Sequence, residues 1–163
     1  MKTQHLLIAI IITLIVALMP SVSLWAAQKK TSKKEPARKE RVFLDSHTIA
    51  GGYTYTGVRT QIASALSEAG YIIVHTPTDA DWAVSVTGQT LDMQQTDFGS
   101  ISYYAVKVEV TILIDRGNFR QRRYEGLLTE KGRHTIGFDE AATEAYNKMI
   151  PQLQETIIQH LTE

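Results

Sequence analysis

The sequence predicts an α/β two-layer sandwich, a mixed sheet with two helices on one face, in the order β-α-β-β-β-β-α over residues 41–163. Three observations predict this fold. A helical stripe of apolar residues lies between two short apolar runs, long period-two runs follow, and an alanine-rich helical pattern ends the chain. With 163 residues and a hydrophobic content of 44%, the chain suits one packed domain.

The first half of this region has the pattern of a strand, a helix and a strand. Residues 41–45 form a short apolar run between charges, and residues 46–57 form a loop rich in Gly and Thr. The apolar stripe of the helix consists of Val58, Ile62, Ala65, Leu66 and Ala69. Gly70 is placed to end the helix, and residues 71–76 are typical of a buried strand. This order predicts a right-handed parallel crossover.

Strand patterns continue through the second half. Residues 82–93 alternate in polarity, and a change of parity after Gly88 predicts a β-bulge at that glycine. Residues 102–115 carry the clearest period-two run, and residues 121–131 return as a further strand. Between the first two runs, we interpret Asp97-Phe98-Gly99 as a hairpin turn.

The last pattern is helical. Its apolar positions are Phe138, Ala141, Ala142, Ala145, Tyr146, Met149, Leu153, Ile157 and Leu161. Pro151 lies inside this pattern, and proline removes a backbone hydrogen bond from a helix. We therefore expect a kink or a break near Ile150.

The amino terminus predicts export. Residues 6–19 are uncharged, follow the basic Lys2 and precede small residues, which is the layout of a signal peptide over residues 1–27. An uncleaved membrane anchor in the same segment is the alternative. Residues 28–40 form a basic flexible tether, either simply solvated or in electrostatic contact with anionic lipid or polymer. We expect a periplasmic or secreted protein or, in the alternative, a membrane-anchored one.

Charge and cysteine content exclude several function classes. Of the 17 Lys and Arg, seven lie in residues 1–40, against two of the 17 Asp and Glu, so residues 41–163 carry a net charge of −5. An acidic domain argues against nucleic acid as a partner, because phosphate binding needs a basic surface. The chain has no cysteine, which excludes a thiolate nucleophile, a Cys-ligated metal and an acylated lipoprotein cysteine.

Catalytic and metal-binding motifs are not evident in the sequence. Asp45, Ser46 and His47 are consecutive on an extended segment, so their side chains alternate in direction and cannot form a catalytic triad by themselves. The histidines after residue 27 have no chelating spacing. We therefore expect no metal site, no cofactor and no catalysis, with an unrecognised enzyme as the least favoured alternative.

Residues 80–88, with the sequence Ala-Asp-Trp-Ala-Val-Ser-Val-Thr-Gly, carry a family resemblance. They resemble a strand of a bacterial envelope group that includes CsgG-like curli secretion pores, the amino-terminal domain of TolB and LpoB-like activators of penicillin-binding proteins. In that group the strand follows a helix ending in Leu-x-x-x-Gly-aromatic, matched here by Leu66, Gly70 and Tyr71. A strand similar to residues 106–115 and an alanine-rich helix similar to residues 141–158 follow.

The resemblance implies an α/β fold and an envelope location. The chain lacks the lipoprotein cysteine of the pore and activator members and the β-propeller that follows the TolB domain. It is also too short to supply pore-forming transmembrane hairpins. The task of any one member therefore does not follow, because a fold alone does not establish a function.

Together these observations predict a noncatalytic exported cell-envelope protein, an adaptor, assembly or accessory module. Its partner would be an envelope protein or an anionic envelope polymer. The alternative is a periplasmic domain that binds a small ligand or a glycan through the loop of residues 51–57.

The candidate binding residues lie in that loop and on a predicted edge strand: Tyr53, Tyr55, Arg120, Arg122, Arg123 and Tyr124. Parity places Arg120 and Arg122 on the same side of the strand as Tyr124. The alternative role of the arginines is to protect the sheet edge against aggregation.

Overall fold

The computed structural model describes residues 38–117 and 121–163. The predicted signal peptide, most of the predicted tether and Arg120 lie outside these residues. The strands are β1 (Arg41–Ala50), β2 (Tyr53–Thr54), β3 (Ile72–Val74), β4 (Trp82–Phe98), β5 (Ile101–Arg116) and β6 (Gln121–His134). The helices are α1 (Gly57–Glu68) and α2 (Phe138–Thr162), with a 3-10 turn at Pro77–Asp79.

The strands form one mixed sheet in the spatial order β2-β1-β4-β5-β6, with β3 also paired to β1. β1 is parallel to β3 and to β4, with Val42 opposite Ile73 and Leu44 opposite Val84. β4, β5 and β6 are antiparallel neighbours. The predicted α/β sandwich is therefore confirmed, and the two-residue β2 is an addition to its predicted order.

β1 continues beyond the predicted end at Asp45 into the predicted loop. Its later residues Thr48 and Ala50 are buried, and Thr48 lies opposite Gly88 of β4. The hydroxyl of Thr48 donates to the carbonyl oxygen of Tyr55 at 2.5 Å, and the N–H of Tyr55 donates to the carbonyl oxygen of Thr48 at 2.8 Å. These two bonds hold the returning chain against the end of β1.

Both helices cover the same face of the sheet, which we call the helix face, and we call the opposite side the open face. The largest fully buried side chains on the strands include Val84, Val86, Val108, Ile112 and Ile114, and those on the helices include Ile62, Leu66, Tyr146, Leu153 and Ile157. These strand residues alternate with partly exposed or exposed ones, as a sheet with one covered face requires.

Helix α1 ends as the sequence predicts. Gly70 has a φ of 94°, a left-handed conformation that suits glycine. Its N–H donates to the carbonyl oxygen of Ser67, and the N–H of Tyr71 donates to that of Leu66. This pair of bonds is a Schellman motif, and it turns the chain directly into β3.

Helix α2 is continuous through Pro151, so of the two predicted alternatives, a kink or a break near Ile150, the break does not occur. Pro151 itself is exposed, whereas Ile150 and Leu153 on either side of it are buried in the same core. Packing against the sheet therefore outweighs the lost hydrogen bond. Within the described residues, neither helix has an apolar stretch long enough to cross a membrane.

The ring of Tyr146 lies at the centre of the helix–sheet contact. Its hydroxyl donates to the carbonyl oxygen of Ile49 at 2.7 Å, and the side chain is fully buried. A Cβ added at Gly88 would lie 2.8 Å from this ring, so Gly88 leaves the space that the ring occupies. The register of β4 with β5 shifts between Thr90 and Asp92, so the bulge lies further along the strand and its predicted position at Gly88 is wrong.

Gly132 on β6 permits the close approach of α2. A Cβ at this position would lie 1.8 Å from the carbonyl oxygen of Ala141 and 2.8 Å from the backbone nitrogen of Ala145. Backbone atoms cannot rotate aside, so we expect Gly132→Ala to lower the free energy of unfolding by about 2–3 kcal/mol. The measurement is the urea midpoint at constant m-value.

The matched control is Gly52→Ala, because an added Cβ there meets nothing within 4 Å. Its free energy of unfolding should stay within about 0.5 kcal/mol of that of the parent. Equal midpoints for Gly132→Ala and Gly52→Ala would contradict the proposed close approach of α2.

Burial raises the pKa of Tyr146 to about 12. Its unfolded value is about 10, so between about pH 10 and 12 the native state keeps a proton that the unfolded chain has lost. The contribution to stability is complete below pH 10 and is lost as the pH rises through this window. Tyr146→Phe removes the ionisation, so its unfolding midpoint should fall less steeply above pH 10 than that of the parent.

The control for this measurement is Tyr103→Phe, which changes an exposed tyrosine and should keep the parental slope. Urea midpoints between pH 8 and pH 11 provide the comparison. If the urea midpoints of the parent and of Tyr146→Phe fall in parallel above pH 10, ionisation of Tyr146 does not cause the loss of stability.

Candidate functional site

Strands β4 and β5 extend beyond the rest of the sheet. In the described chain, β1 pairs with β4 only as far as Gly88, and β6 pairs with β5 only from Tyr104 onward. Residues 91–98 of β4 and 101–103 of β5 form a projecting hairpin, which we call the arm. Gly99, with a φ of 64°, forms its tip, which confirms the predicted hairpin turn.

The arm carries large apolar side chains that are exposed. The exposed fractions are 66% for Phe98, 54% for Met93 and 49% for Ile101. Leu91 and Tyr103 are also exposed, so the arm holds five of the nine exposed large hydrophobic side chains in the described residues. Exposed apolar side chains concentrated in this way mark interaction sites, whereas isolated ones are ordinary.

The two faces of the arm differ in chemistry. On the helix face, Asp97 accepts hydrogen bonds from Ser102 at 2.6 Å and from Gln95 at 3.0 Å, and these bonds lower its pKa. On the open face, the rings of Phe98 and Tyr103 meet edge to face with centroids 5.8 Å apart. The polar bonds and the ring contact hold the hairpin together, and the apolar tip remains exposed.

Basic side chains lie on the open face at the base of the arm. Lys107 on β5 is opposite Lys131 on β6, and Arg133 follows two residues later on the same side. Asp92 of the arm lies opposite Lys107. Within the described part of the chain, the three basic side chains form no ion pairs. A partner bound to the arm would therefore meet an apolar tip and a mainly basic base.

The two predicted contact tyrosines have different environments. Tyr55 stacks on Tyr146 with ring centroids 5.8 Å apart, and its hydroxyl donates to Oδ1 of Asn147 at 2.8 Å. Tyr53 is 55% exposed, and its pKa is raised by partial desolvation and by Asp139. Tyr55 therefore holds the loop to α2, whereas Tyr53 is available for contact.

The predicted basic cluster is divided by a bulge. Tyr124 lies opposite Ile114 and Arg122 lies opposite Asp115, so the register shifts at Arg123. Arg122 and Tyr124 consequently point to opposite faces, and the prediction that they share one side is wrong. The ring of Tyr124 stacks on His160, with centroids 4.0 Å apart, on the helix face.

Arg122 is held on the open face by acidic neighbours. Its Nε lies 2.6 Å from Oδ1 of Asp115 and its Nη1 lies 2.8 Å from Oε2 of Glu125, and the bond to Asp115 raises its pKa. Arg123 borders a small cavity near Trp82 and His160. β6 is the edge strand that the sequence predicts, and a binding role for its arginines remains a prediction.

The sequence interpretation missed the arm, although a signal for it was present. The period-two patterns of β4 and β5 run further than the patterns of β1 and β6, and apolar residues continue to the turn at Gly99. A hairpin longer than its neighbouring strands must project beyond them. In the described residues, no group of three His, Asp or Glu side chains is placed to hold a metal ion.

No model of a known protein family matches the sequence, and no curated protein matches it. Several solved structures are similar to it at a low level. A minor lipoprotein from Acinetobacter baumannii is 16% identical, with a TM-score of 0.48 over 72% of this chain and 91% of that chain. The rare lipoprotein B from Shewanella oneidensis is 11% identical, with a TM-score of 0.45 over 75% of this chain and 93% of that chain.

A third solved structure is the lipoprotein GNA1162 from Neisseria meningitidis. It is 10% identical, with a TM-score of 0.41 over 71% of this chain and 99% of that chain. All three proteins are named bacterial lipoproteins, whereas this chain has no cysteine to carry a lipid. Likeness at this level carries no argument about function.

The different environments of the two loop tyrosines give a testable difference. Tyr55→Ala removes a ring stack and a hydrogen bond, so we expect the free energy of unfolding to fall by about 2 kcal/mol. Tyr53→Ala removes an exposed side chain and should change it by less than about 0.5 kcal/mol. Urea unfolding of both variants measures the difference, and equal losses would show that Tyr55 does not hold the loop.

Proposed function

We propose that this chain is a noncatalytic cell-envelope module, an adaptor or accessory protein that binds a partner protein through the arm. The observation that carries the proposal is the concentration of exposed apolar side chains on the arm. Binding sites on proteins commonly combine such anchors with a polar rim. Lys107, Lys131 and Arg133 would form part of that rim and would favour a partner with acidic residues around an apolar recess.

The energetic argument rests on the tip. Phe98 and Ile101 are about half exposed or more, and full burial of such a side chain contributes about 1.5–3 kcal/mol. The strand edges of the arm offer backbone donors and acceptors as well, so a partner strand could add to the hairpin. An isolated two-stranded hairpin is marginally stable by itself, and a bound partner would therefore also stabilise the arm.

The envelope location rests on the amino-terminal sequence, with its basic start, uncharged run and following small residues. The acidic charge of residues 41–163 supports a protein partner over nucleic acid. The resemblance of residues 80–88 to CsgG-like, TolB and LpoB-like proteins supports an assembly or accessory role. Binding to an anionic envelope polymer would contradict the proposed protein partner, because the apolar tip would then contribute little to the binding free energy.

The test compares two pairs of exposed apolar residues. Phe98→Ser/Ile101→Ser changes the arm, and Leu127→Ser/Ile136→Ser changes equally exposed side chains outside it. After cross-linked capture from envelope extract, the protein enriched by the parent is identified and purified. We expect the arm variant to raise the Kd for that protein at least about tenfold, which corresponds to about 1.4 kcal/mol.

The control pair should bind as the parent does, and both variants should keep the parental unfolding midpoint. An arm variant with unchanged affinity would contradict the proposal. Loss of binding in 0.5 M salt together with retained binding by the arm variant would indicate a charge-mediated polymer or protein contact elsewhere.

A further inference from the structure

A groove lies along the outer side of α2, and none of its lining residues belongs to the arm. Its volume is about 530 Å³, within the range of small-ligand sites. Residues of three elements line it: Tyr53 of β2, His134 of β6, and Glu140, Thr143, Glu144, Asn147 and Lys148 of α2. The groove therefore contains Tyr53, a binding residue predicted from the sequence, together with residues for which the sequence predicts no role.

The residues on either side of Tyr53, the aromatic residue of the groove, are fixed to α2. The N–H of Gly52 donates to Oδ1 of Asp139 at 3.3 Å, which ties the β1–β2 turn to the start of α2. Tyr55, two residues after Tyr53, is fixed on Asn147 and Tyr146. Tyr53 is thus anchored on both sides by its neighbours, while more than half of its own surface is exposed.

The rest of the groove offers both hydrogen-bond donors and acceptors. Asn147 uses Oδ1 to accept from Tyr55, so its amide N–H groups remain as donors. The N–H of Ile136 donates to Nδ1 of His134 at 3.2 Å, so the neutral imidazole carries its proton on Nε2, a second donor. The carboxylate of Glu140 and the hydroxyl of Thr143 make no hydrogen bond to any described residue, and they provide acceptors.

The charges of the groove are mixed. Glu144 is already paired with Lys148 at 2.5 Å and accepts from the N–H of Arg133 at 3.2 Å, whereas Glu140 is unpaired in the described chain. A polyanion would meet the unpaired carboxylate of Glu140, because Lys148 in the groove is already paired with Glu144, and a purely apolar ligand would leave the donors and acceptors of the groove without partners. An uncharged ligand with several hydroxyl groups suits this arrangement, because each hydroxyl can both donate and accept.

We infer that the groove binds a neutral saccharide unit of a glycan, with one sugar face against the ring of Tyr53 and its hydroxyl groups bonded to Glu140, Asn147 and His134. The C–H face of a sugar ring is apolar, and an exposed, preorganised tyrosine ring provides a matching surface at a low entropic cost. None of the residues that line the groove belongs to the arm, so the test does not depend on the proposed protein partner.

The whole chain is titrated with neutral tetrasaccharides of glucose and of N-acetylglucosamine. Tetragalacturonate is the anionic comparison. Amide chemical shifts locate binding, and calorimetry gives the Kd. We expect at least one neutral tetrasaccharide to shift the amides of residues 53, 134 and 140–147. Tetragalacturonate should bind at least about tenfold more weakly, because the unpaired Glu140 repels it and Lys148 is already paired with Glu144.

Two variants test the individual residues. Tyr53→Ala should raise the Kd of the bound tetrasaccharide at least about tenfold, and Glu140→Gln should raise it several-fold because the amide is a weaker acceptor. The matched control is Tyr103→Ala, which removes an exposed tyrosine of the arm and should leave the Kd unchanged. Unfolding midpoints of all three should match that of the parent.

Three outcomes would overturn the inference. The first is no amide shift in the groove with either neutral tetrasaccharide at millimolar concentration. The second is an equal loss of affinity in Tyr53→Ala and Tyr103→Ala, which would place the sugar elsewhere. The third is tighter binding of tetragalacturonate, which would make the ligand anionic and would contradict the role given to Glu140.

Discussion

The fold depends on the contact between the ring of Tyr146 and the sheet beneath it. From the middle of α2, this side chain reaches the carbonyl oxygen of Ile49 on β1 and fills the space above Gly88 on β4. A buried hydroxyl must find a partner, so the bond fixes the position of the helix as well as its depth. Tyr55 stacks on the same ring, and the loop after β1 is thereby joined to the helix.

Two consequences of this contact shape the surfaces. α2 lies so close to β6 that only glycine fits at position 132, which aligns the helix with the edge strand. The first residue of α2, Phe138, packs edge to face on Tyr104, with ring centroids 5.0 Å apart. Tyr104 pairs with His134, the last residue of β6. Both α2 and β6 therefore reach along β5 only as far as Tyr104. The arm beyond that level lacks both.

The sequence predicted much of this arrangement from local patterns. The stripe from Val58 to Leu66 and the period-two run around Val108 each repeat a periodicity imposed by secondary structure, and both lie as predicted. Gly70 ends α1 because a left-handed residue is needed at that point. The bulge predicted at Gly88, the break predicted as one alternative near Ile150 and the shared side predicted for Arg122 and Tyr124 are not found, and these differences have one origin. In each case the structure is decided by contacts between elements that are distant in sequence, which a local pattern does not contain.

For the binding surfaces, local patterns identified exposed loop residues but could not separate Tyr53 from Tyr55, which differ only in what α2 places beside them. The groove residues His134, Glu140 and Asn147 are far apart in the chain and carry no shared motif. Their convergence depends on how α2 lies against β2 and β6.

By itself, the sequence determined the class of the fold, the order of its elements, the acidic charge of residues 41–163 and the absence of cysteine chemistry. These properties follow from composition and from periodicity along the chain, which need no knowledge of long-range contacts. The tertiary structure alone decided which apolar residues stay exposed on the arm, which face each β6 side chain takes and which polar groups meet at the groove. Those features depend on how far neighbouring strands and the helix extend over one another, a quantity that is set by packing between residues distant in sequence.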